Sequence, residues 1–167
     1  LHGYRGMSPI LAQVLYNRGL TDPIDAHEFL KAEDLESGSL LAMKGRKVSI
    51  DRALSRIRAA IKRRELVVVY GDFDADGVTS TTLLVQALRA LGGNAQPYIP
   101  HRVDEGYGLN SEALLKLARR GVRLVITVDC GIRSVQEVED GKAYGLDIII
   151  TDHHSVGAEI PDAYAVI

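Results

Sequence analysis

The chain has 167 residues, 46% of them hydrophobic, and a formal net charge of -2 at pH 7. This length suits one domain of ordinary size, and the apolar fraction is enough for a substantial core. The single cysteine, Cys130, excludes an intrachain disulfide, and no apolar run has the length of a membrane span. We therefore expect a cytoplasmic protein without membrane contact, while the near-neutral charge neither favours nor excludes a nucleic-acid partner.

Helix start and stop signals in the first 46 residues predict an N-terminal helical lead-in. Ser8-Pro9 and Thr21-Asp22-Pro23 each place a capping residue before a proline, which is typical of a helix start, and Gly19 follows the first apolar run as a stop. A polar stretch with several glycines runs from Glu33 to Gly45. Since the chain begins at Leu1 and its last residues are apolar, we also expect it to be a fragment.

A longer helix follows, because the apolar residues between Ile50 and Ile61 recur at helical spacing. This helix carries a basic run composed of Arg56, Arg58, Lys62, Arg63 and Arg64. A solvent-exposed helix face is the interpretation we favour for this run, with guidance of DNA as the alternative.

From Leu66 onwards, short apolar runs alternate with helical patterns. Strands are predicted at Leu66 to Tyr70, Ala95 to Ile99, Leu124 to Val128, Asp147 to Thr151 and Ala163 to Ile167, and helices at Val78 to Leu91, Ser111 to Arg120 and Ser134 to Tyr144. The strongest strands do not alternate in polarity, which indicates burial on both faces, as in a parallel sheet. The pattern predicts an α/β fold, an open and mainly parallel sheet with flanking helices, preceded by the N-terminal helical segment.

Acidic and imidazole side chains follow three of these strands. Asp72, Asp74 and Asp76 come after the first strand, Asp129 after the Leu124 strand, and Asp152, His153 and His154 after the Asp147 strand. Because the carboxyl ends of parallel strands share one edge of a sheet, we expect these groups to converge. Their mutual repulsion would require a cation, and oxygen ligands with one imidazole suit Mn²⁺ or Mg²⁺. Taken singly, each acidic turn could instead be a structural helix cap.

The motifs GDFDADG, TVDCG and TDHH, in this order and spacing, resemble those of the DHH phosphoesterase superfamily from Leu66 to Ile167. Within the superfamily, Pro100 to Asn110 (PHRVDEGYGLN) and the segment Lys47 to Glu65 are similar to the RecJ exonucleases. The resemblance implies that residues 47–167 form a DHH-type catalytic domain. It also implies that the family's fourth motif and its second domain lie beyond Ile167.

The implied activity is metal-dependent phosphodiester hydrolysis, with degradation of single-stranded DNA from 5′ to 3′ in recombination and repair. Single-stranded DNA would be the partner, together with a single-strand-binding protein or a helicase. The resemblance assigns Asp74, Asp76, Asp129 and His153 as metal ligands, Asp76, His153 and His154 as catalytic residues, and Asp152 as a residue that orients the histidines. Asp72 stays open between a ligand and a turn cap.

The segment with the GYGL sequence supplies three candidate substrate contacts. His101 and Arg102 could meet phosphate, and Tyr107 could stack on a base or sugar. In the chain Tyr70 stands where some superfamily members have a histidine. The lone Cys130 is predicted to be packed rather than reactive. Two alternatives remain: a phosphodiesterase for short oligonucleotides or cyclic dinucleotides, and a non-catalytic DNA-binding module.

Overall fold

The computed structural model describes residues 6–31, 47–101 and 106–167. The chain divides into two compact units, Leu1–Gly45 and Arg46–Ile167. In the first unit, α1 spans Pro9–Asn17 and α2 spans Pro23–Lys31. Both helix starts agree with the sequence signals, since Ser8 Oγ accepts a hydrogen bond from the Leu11 N–H at 3.2 Å and Asp22 Oδ1 accepts one from Ile24 at 2.6 Å. The predicted polar stretch from Glu33 to Gly45 lies outside the described residues.

The second unit alternates helices and strands. Its elements are α3 (Lys47–Arg63), β1 (Leu66–Gly71), α4 (Ala75–Ala90), β2 (Asn94–Tyr98), α5 (Ser111–Arg119), β3 (Val122–Val128), α6 (Val135–Ala143), β4 (Asp147–Thr151) and β5 (Ala165–Val166). The strands form one sheet in the order β2-β1-β3-β4-β5, and every pair is parallel. The predicted α/β fold with an open parallel sheet is confirmed.

The sheet is covered on both faces, which explains why its strands are apolar throughout. Val67 and Val69 of β1 pack in a cluster with residues of α3 and α4, such as Ala60. Val68 and Tyr70 belong to the opposite cluster, which contains residues of α5 and α6. Neighbouring side chains of a strand point to opposite faces, so burial of each face requires an unbroken apolar run. Burial of each such Val, Leu or Ile side chain contributes about 1.5–3 kcal/mol to the stability of the fold.

The order of the strands places a crevice at one edge of the sheet. From β1 the chain first adds β2 on one side, and later adds β3 on the other side. The loops that leave β1 and β3 therefore diverge at their carboxyl ends, and open α/β sheets bind ligands at such a point. Asp72 and Asp74 follow β1, and Asp129 follows β3. None of the helices within the described ranges has the length and apolar character needed to cross a membrane.

Candidate metal centre

The turn after β1 fixes the first two carboxylates. Asp74 is the N-cap of α4, and its Oδ1 accepts hydrogen bonds from the N–H groups of Asp76 and Gly77, both at 3.0 Å. The Gly77 and Asp76 amides hold the pKa of the Asp74 carboxyl below its usual value, against the opposing effect of burial. Asp72 is buried, and its Oδ1 accepts a hydrogen bond from the N–H of Phe73 at 2.8 Å. Both side chains thus shape the turn while keeping a second oxygen for a ligand.

Gly77 makes this turn possible. A Cβ at position 77 would lie 2.3 Å from the carbonyl oxygen of Asp72 and 2.5 Å from its nitrogen. Since these are backbone atoms, no side-chain rotation could relieve the overlap. The glycine therefore lets the first turn of α4 pack directly against the strand end that carries Asp72.

Asp129 lies at the centre of the site. Its backbone is in the left-handed region with φ of +62°, and its N–H donates to the carbonyl of Thr151 at 3.0 Å. Its Oδ1 lies 2.7 Å from Nε2 of His153 and 4.0 Å from Nδ1 of His154. The strand end therefore holds this carboxylate in a conformation that non-glycine residues seldom adopt.

A third strand end contributes an ordered carboxylate and imidazole pair. Asp152 Oδ1 accepts a hydrogen bond from the His154 N–H at 3.0 Å and lies 2.8 Å from His154 Nδ1, while Oδ2 accepts one from Ile132 at 3.0 Å. Burial acts to raise the pKa of Asp152, but these hydrogen bonds outweigh it and lower that pKa. In turn, the hydrogen bond with Asp152 raises the pKa of His154. Asp152 thus fixes the orientation of the His154 ring.

The ligand atoms of these residues form two clusters around Asp129. One cluster contains Asp72, Asp74 and Asp129, the other Asp129, His153 and His154, and within each cluster the potential ligand atoms lie within 4.8 Å of one another. Three carboxylates at such distances repel one another unless a cation or a proton lies between them.

Asp129 shows that a divalent cation fits this arrangement. Its Oδ2 is buried and has no hydrogen-bond partner among the described residues, although buried polar atoms of this kind normally have one. Burial raises the pKa of the Asp129 carboxyl, an effect that the hydrogen bond with His153 offsets in part. A cation would supply the missing partner, and carboxylate oxygens with imidazole nitrogen are suitable ligands for Mn²⁺ or Mg²⁺.

The other predicted site residues differ in whether they line the cavities at this centre. Asp76, in the first turn of α4, lines a cavity of about 390 Å³ with Asp129 and His153, but among the described residues it belongs to neither ligand cluster. Tyr107 is 57% exposed, with its hydroxyl 3.4 Å from Nδ1 of His154. His101 is exposed and lines neither this cavity nor the neighbouring one at Tyr107. Arg102 lies outside the described residues.

Two residues next to the site belong to the core. Tyr70 is fully buried, its hydroxyl donates to the carbonyl of Gly108 at 3.1 Å, and its ring lies 4.9 Å from that of Tyr98. It therefore supports the loop before α5 from within the core. Cys130 is also buried, and burial raises the pKa of its thiol to about 12. The prediction of a packed, unreactive cysteine agrees with this burial.

The prediction that the basic run lies on a solvent-exposed face is confirmed for Arg58, Lys62, Arg63 and Arg64 and is wrong for Arg56. Arg56 is buried rather than solvated, because its guanidinium pairs with Glu65 at 2.7 Å and with Asp147 at 2.5 Å. Arg133 and Ser134, which line the cavity beside His154, were not predicted from the sequence as site residues. Their place directly before α6, at the carboxyl end of β3, was the signal that could have identified them.

Comparison with known proteins agrees with this architecture. Residues 66–167 match the DHH family, N-terminal domain. The chain is 42% identical to the single-stranded-DNA-specific exonuclease RecJ of Bacillus subtilis over 161 residues, which cover 96% of this chain and 20% of that protein. It is 35% identical to the protein of that name from Escherichia coli over 163 residues, which cover 96% of this chain and 27% of the relative.

A solved structure shows the same likeness in three dimensions. The crystal structure of exonuclease RecJ bound to manganese matches with a TM-score of 0.64 and 38% identity, over 71% of this chain and 30% of that chain. The chain spans only about a fifth to a quarter of the length of the two curated relatives. Because the family match extends from β1 to the last residue and includes all three strand ends of the site, the chain belongs to the DHH family.

Proposed function

We propose that this chain forms the metal-binding part of a hydrolase that cleaves phosphodiester bonds of single-stranded DNA. The observation that carries the proposal is the convergence of three strand ends on Asp129, whose buried Oδ2 has no partner among the described residues. The substrate follows from the relatives, which are single-stranded-DNA-specific exonucleases. The 5′→3′ direction and the role in recombination and repair are the finer parts of the proposal and follow from the family resemblance.

The two ligand clusters would hold Mn²⁺ or Mg²⁺. Asp72, Asp74 and Asp129 offer oxygen ligands, and His153 adds an imidazole nitrogen. We also propose Asp76 as a ligand, since it lines the same cavity as Asp129 and His153. The manganese in the structure of the RecJ relative supports this choice of metal. When bound, such a cation activates water for attack on phosphorus and stabilises negative charge on the phosphoryl oxygens.

The side chains of this protein would position and stabilise the substrate. Asp152 engages Nδ1 of His154, so Nε2 of the same ring is the nitrogen left to face a phosphate oxygen, and it donates to that oxygen when the ring is protonated. His153 is held against Asp129 by its own Nε2. The two neighbouring histidines therefore have different roles: His153 belongs to the metal centre, and His154 contacts the scissile phosphate.

An exonuclease of this type requires a source of single strands. We therefore also propose a helicase or a single-strand-binding protein as a functional partner. A direct complex would be detected by co-purification of the full-length natural protein with each candidate, with Asp129→Asn retaining the complex because Asp129 is buried.

The test is a substrate panel with the full-length natural protein in Mn²⁺, in Mg²⁺ and in EDTA. We expect metal-dependent degradation of single-stranded DNA from the 5′ end, and its loss in Asp76→Ala and His153→Ala. Faster cleavage of short oligonucleotides or cyclic dinucleotides would assign the smaller substrate class. DNA binding without cleavage of any substrate would instead support a non-catalytic module.

A further inference from the structure

The site contains a second cavity whose lining differs from that of the metal centre. The first cavity, of about 390 Å³, is lined by Asp76, Asp129 and His153. The second, of about 490 Å³, is lined by Tyr107, Arg133, Ser134, Glu137 and His154 among others, and Asp152 lines both. The two neighbouring histidines thus face two different cavities. Because Asp152 lines both, the two cavities adjoin each other.

Arg133 is held in the wall of this second cavity. Its Nε donates to the carbonyl oxygen of Ser155 at 2.9 Å. Its aliphatic part lies beside Gly157, where an added Cβ would be 3.8 Å from Arg133 Cγ. Within the described part of the chain, its two terminal nitrogens make no hydrogen bond or ion pair. The guanidinium is therefore oriented by one anchor and keeps its terminal donors available for a ligand.

The charges around the two cavities differ. Among the described residues that line them, Arg133 is the one arginine or lysine, and it belongs to the second cavity. Ser134 is the N-cap of α6, but its side chain makes no capping hydrogen bond, so its hydroxyl can reach a ligand. Glu137 adds an acceptor that could engage a sugar hydroxyl or a base amine but not a phosphate. The volume suits a ligand of about one nucleotide.

We propose that Arg133 binds a backbone phosphate next to the scissile phosphate, in a subsite that holds one nucleotide of a single-stranded substrate. Arginine donors in a fixed orientation are well suited to phosphate oxygens. The subsite rests on the proposed function, because it takes the phosphate at His154 as its reference point. Arg133 acts there as a substrate-binding residue, and its removal would leave the metal ligands unchanged.

The test is a double-mutant cycle between the protein and the DNA. Single methylphosphonate linkages, which carry no charge, are placed one at a time at successive positions from the 5′ end of a labelled oligonucleotide. Binding to the full-length natural protein is measured by fluorescence anisotropy in EDTA, which prevents metal-dependent cleavage. Arg133→Ala should weaken binding of the unmodified strand roughly 10-fold or more, the usual effect of losing a charge-assisted hydrogen bond.

The informative result is the coupling between the two changes. At one linkage the methylphosphonate should weaken wild-type binding by a similar factor and have little further effect in Arg133→Ala. Arg119→Ala, which removes an exposed arginine of α5 that lines neither cavity, is the matched control and should bind like the wild type. In Mn²⁺, Arg133→Ala should raise KM with little change in kcat.

Strictly additive losses at every linkage would overturn the subsite and leave Arg133 as an anchor for the loop at Ser155. Such an anchor would lower the melting temperature without any coupling to a particular phosphate. If the wild type cleaves DNA but Arg133 couples to no linkage, the subsite is wrong and the proposed hydrolysis stands. If Arg133 couples to one linkage but the protein cleaves no substrate, the subsite stands and the proposed hydrolysis is wrong.

Discussion

Nε2 of His153 lies 2.7 Å from Oδ1 of Asp129, although 24 residues separate them in the sequence. The contact joins the end of β3 to the loop after β4, and the Asp129 N–H bond to Thr151 joins the same two strands at 3.0 Å. Asp129 keeps its φ of +62° in this arrangement, a conformation that costs on the order of 1 kcal/mol or more in a residue other than glycine. The fold therefore holds the central carboxylate through contacts from two strand ends.

Replacement of this carboxylate should separate metal binding from folding. Asp129→Asn removes a buried carboxyl group whose pKa is raised by burial. The metal-free variant should therefore melt at the wild-type temperature or above. Wild-type protein should gain about 2.7 kcal/mol when Mn²⁺ is present at 100 times its Kd, and the variant should lose most of this gain. Thermal melts with and without MnCl₂ measure both effects.

Glu112→Gln is the control for the Asp129 experiment, because Glu112 is an exposed carboxylate that pairs with Lys116 on the surface of α5. It should keep the full stabilisation by Mn²⁺. An Asp129→Asn protein that is stabilised by Mn²⁺ as strongly as the wild type would place the cation elsewhere.

Asp152→Asn should alter the titration of His154 in the metal-free protein. The hydrogen bond with Asp152 raises the pKa of His154 above its ordinary value of 6.5, and the variant should bring that pKa down. With a raised folded-state pKa, this pair stabilises the fold fully below the unfolded pKa and loses its effect as pH rises through the folded pKa. Histidine NMR titration follows the shift directly.

The matched variant for this titration is Asp140→Asn, since Asp140 accepts a hydrogen bond from Ser111 and not from a histidine. It should leave the His154 titration unchanged. Equal titration curves for His154 in the wild type and in Asp152→Asn would show that Asp152 does not set the state of this ring. In the full-length natural protein, loss of this orienting carboxylate should also reduce hydrolysis roughly 10- to 100-fold.

Gly77→Ala should destabilise the fold and weaken metal binding together. The new methyl group would meet the Asp72 backbone at 2.3 Å, and forced overpacking of this kind costs about 1–3 kcal/mol or more. Gly92→Ala is the comparison, because position 92 has φ of +84° but open space around its Cβ. It should cost on the order of 1 kcal/mol through backbone strain alone and leave Mn²⁺ affinity intact. Urea denaturation and calorimetry give the two quantities, and equal Mn²⁺ affinity in both variants would contradict the role of the turn.

The sequence predicted the sheet and the edge at which the acidic residues gather. It could do so because a strand buried on both faces must be apolar throughout, and because parallel strands present their carboxyl ends together. Asp129 and His153 illustrate the success of this reasoning, since each was placed at a strand end by its sequence position alone. The start of α4 was predicted at Val78 but lies at Ala75, because Asp74 caps the helix earlier.

The remaining features depend on distances that no local pattern contains. No local pattern tells whether Asp76 or Asp72 lies closer to Asp129, and the structure groups Asp72 with Asp129. The cavity at Arg133 is formed by loops from three parts of the chain. The burial of Arg56 depends on Asp147, a partner 91 residues away.

Arg56 and Arg63 form a natural test of how burial changes the value of an ion pair. Arg56 is 9% exposed and pairs with Glu65 and Asp147, whereas Arg63 is 71% exposed and lies 3.5 Å from Glu65. Removal of a buried partner leaves an uncompensated charge, at a cost of about 3–5 kcal/mol when both partners are buried. Since Asp147 is 42% exposed, solvent reduces this cost, and Arg56→Ala should lose on the order of 2 kcal/mol.

Arg63→Ala should cost less than about 0.5 kcal/mol, as exposed pairs usually do. Chemical denaturation of both variants measures the difference, and Arg56→Met separates lost charge from lost packing because it keeps most of the side-chain volume. Should Arg56→Ala cost no more than Arg63→Ala, the network of Arg56 with Glu65 and Asp147 would not stabilise the fold. Neither Arg56 nor Arg63 lines a cavity of the metal centre. Mn²⁺ affinity should therefore be unchanged in Arg63→Ala and in the folded form of Arg56→Ala.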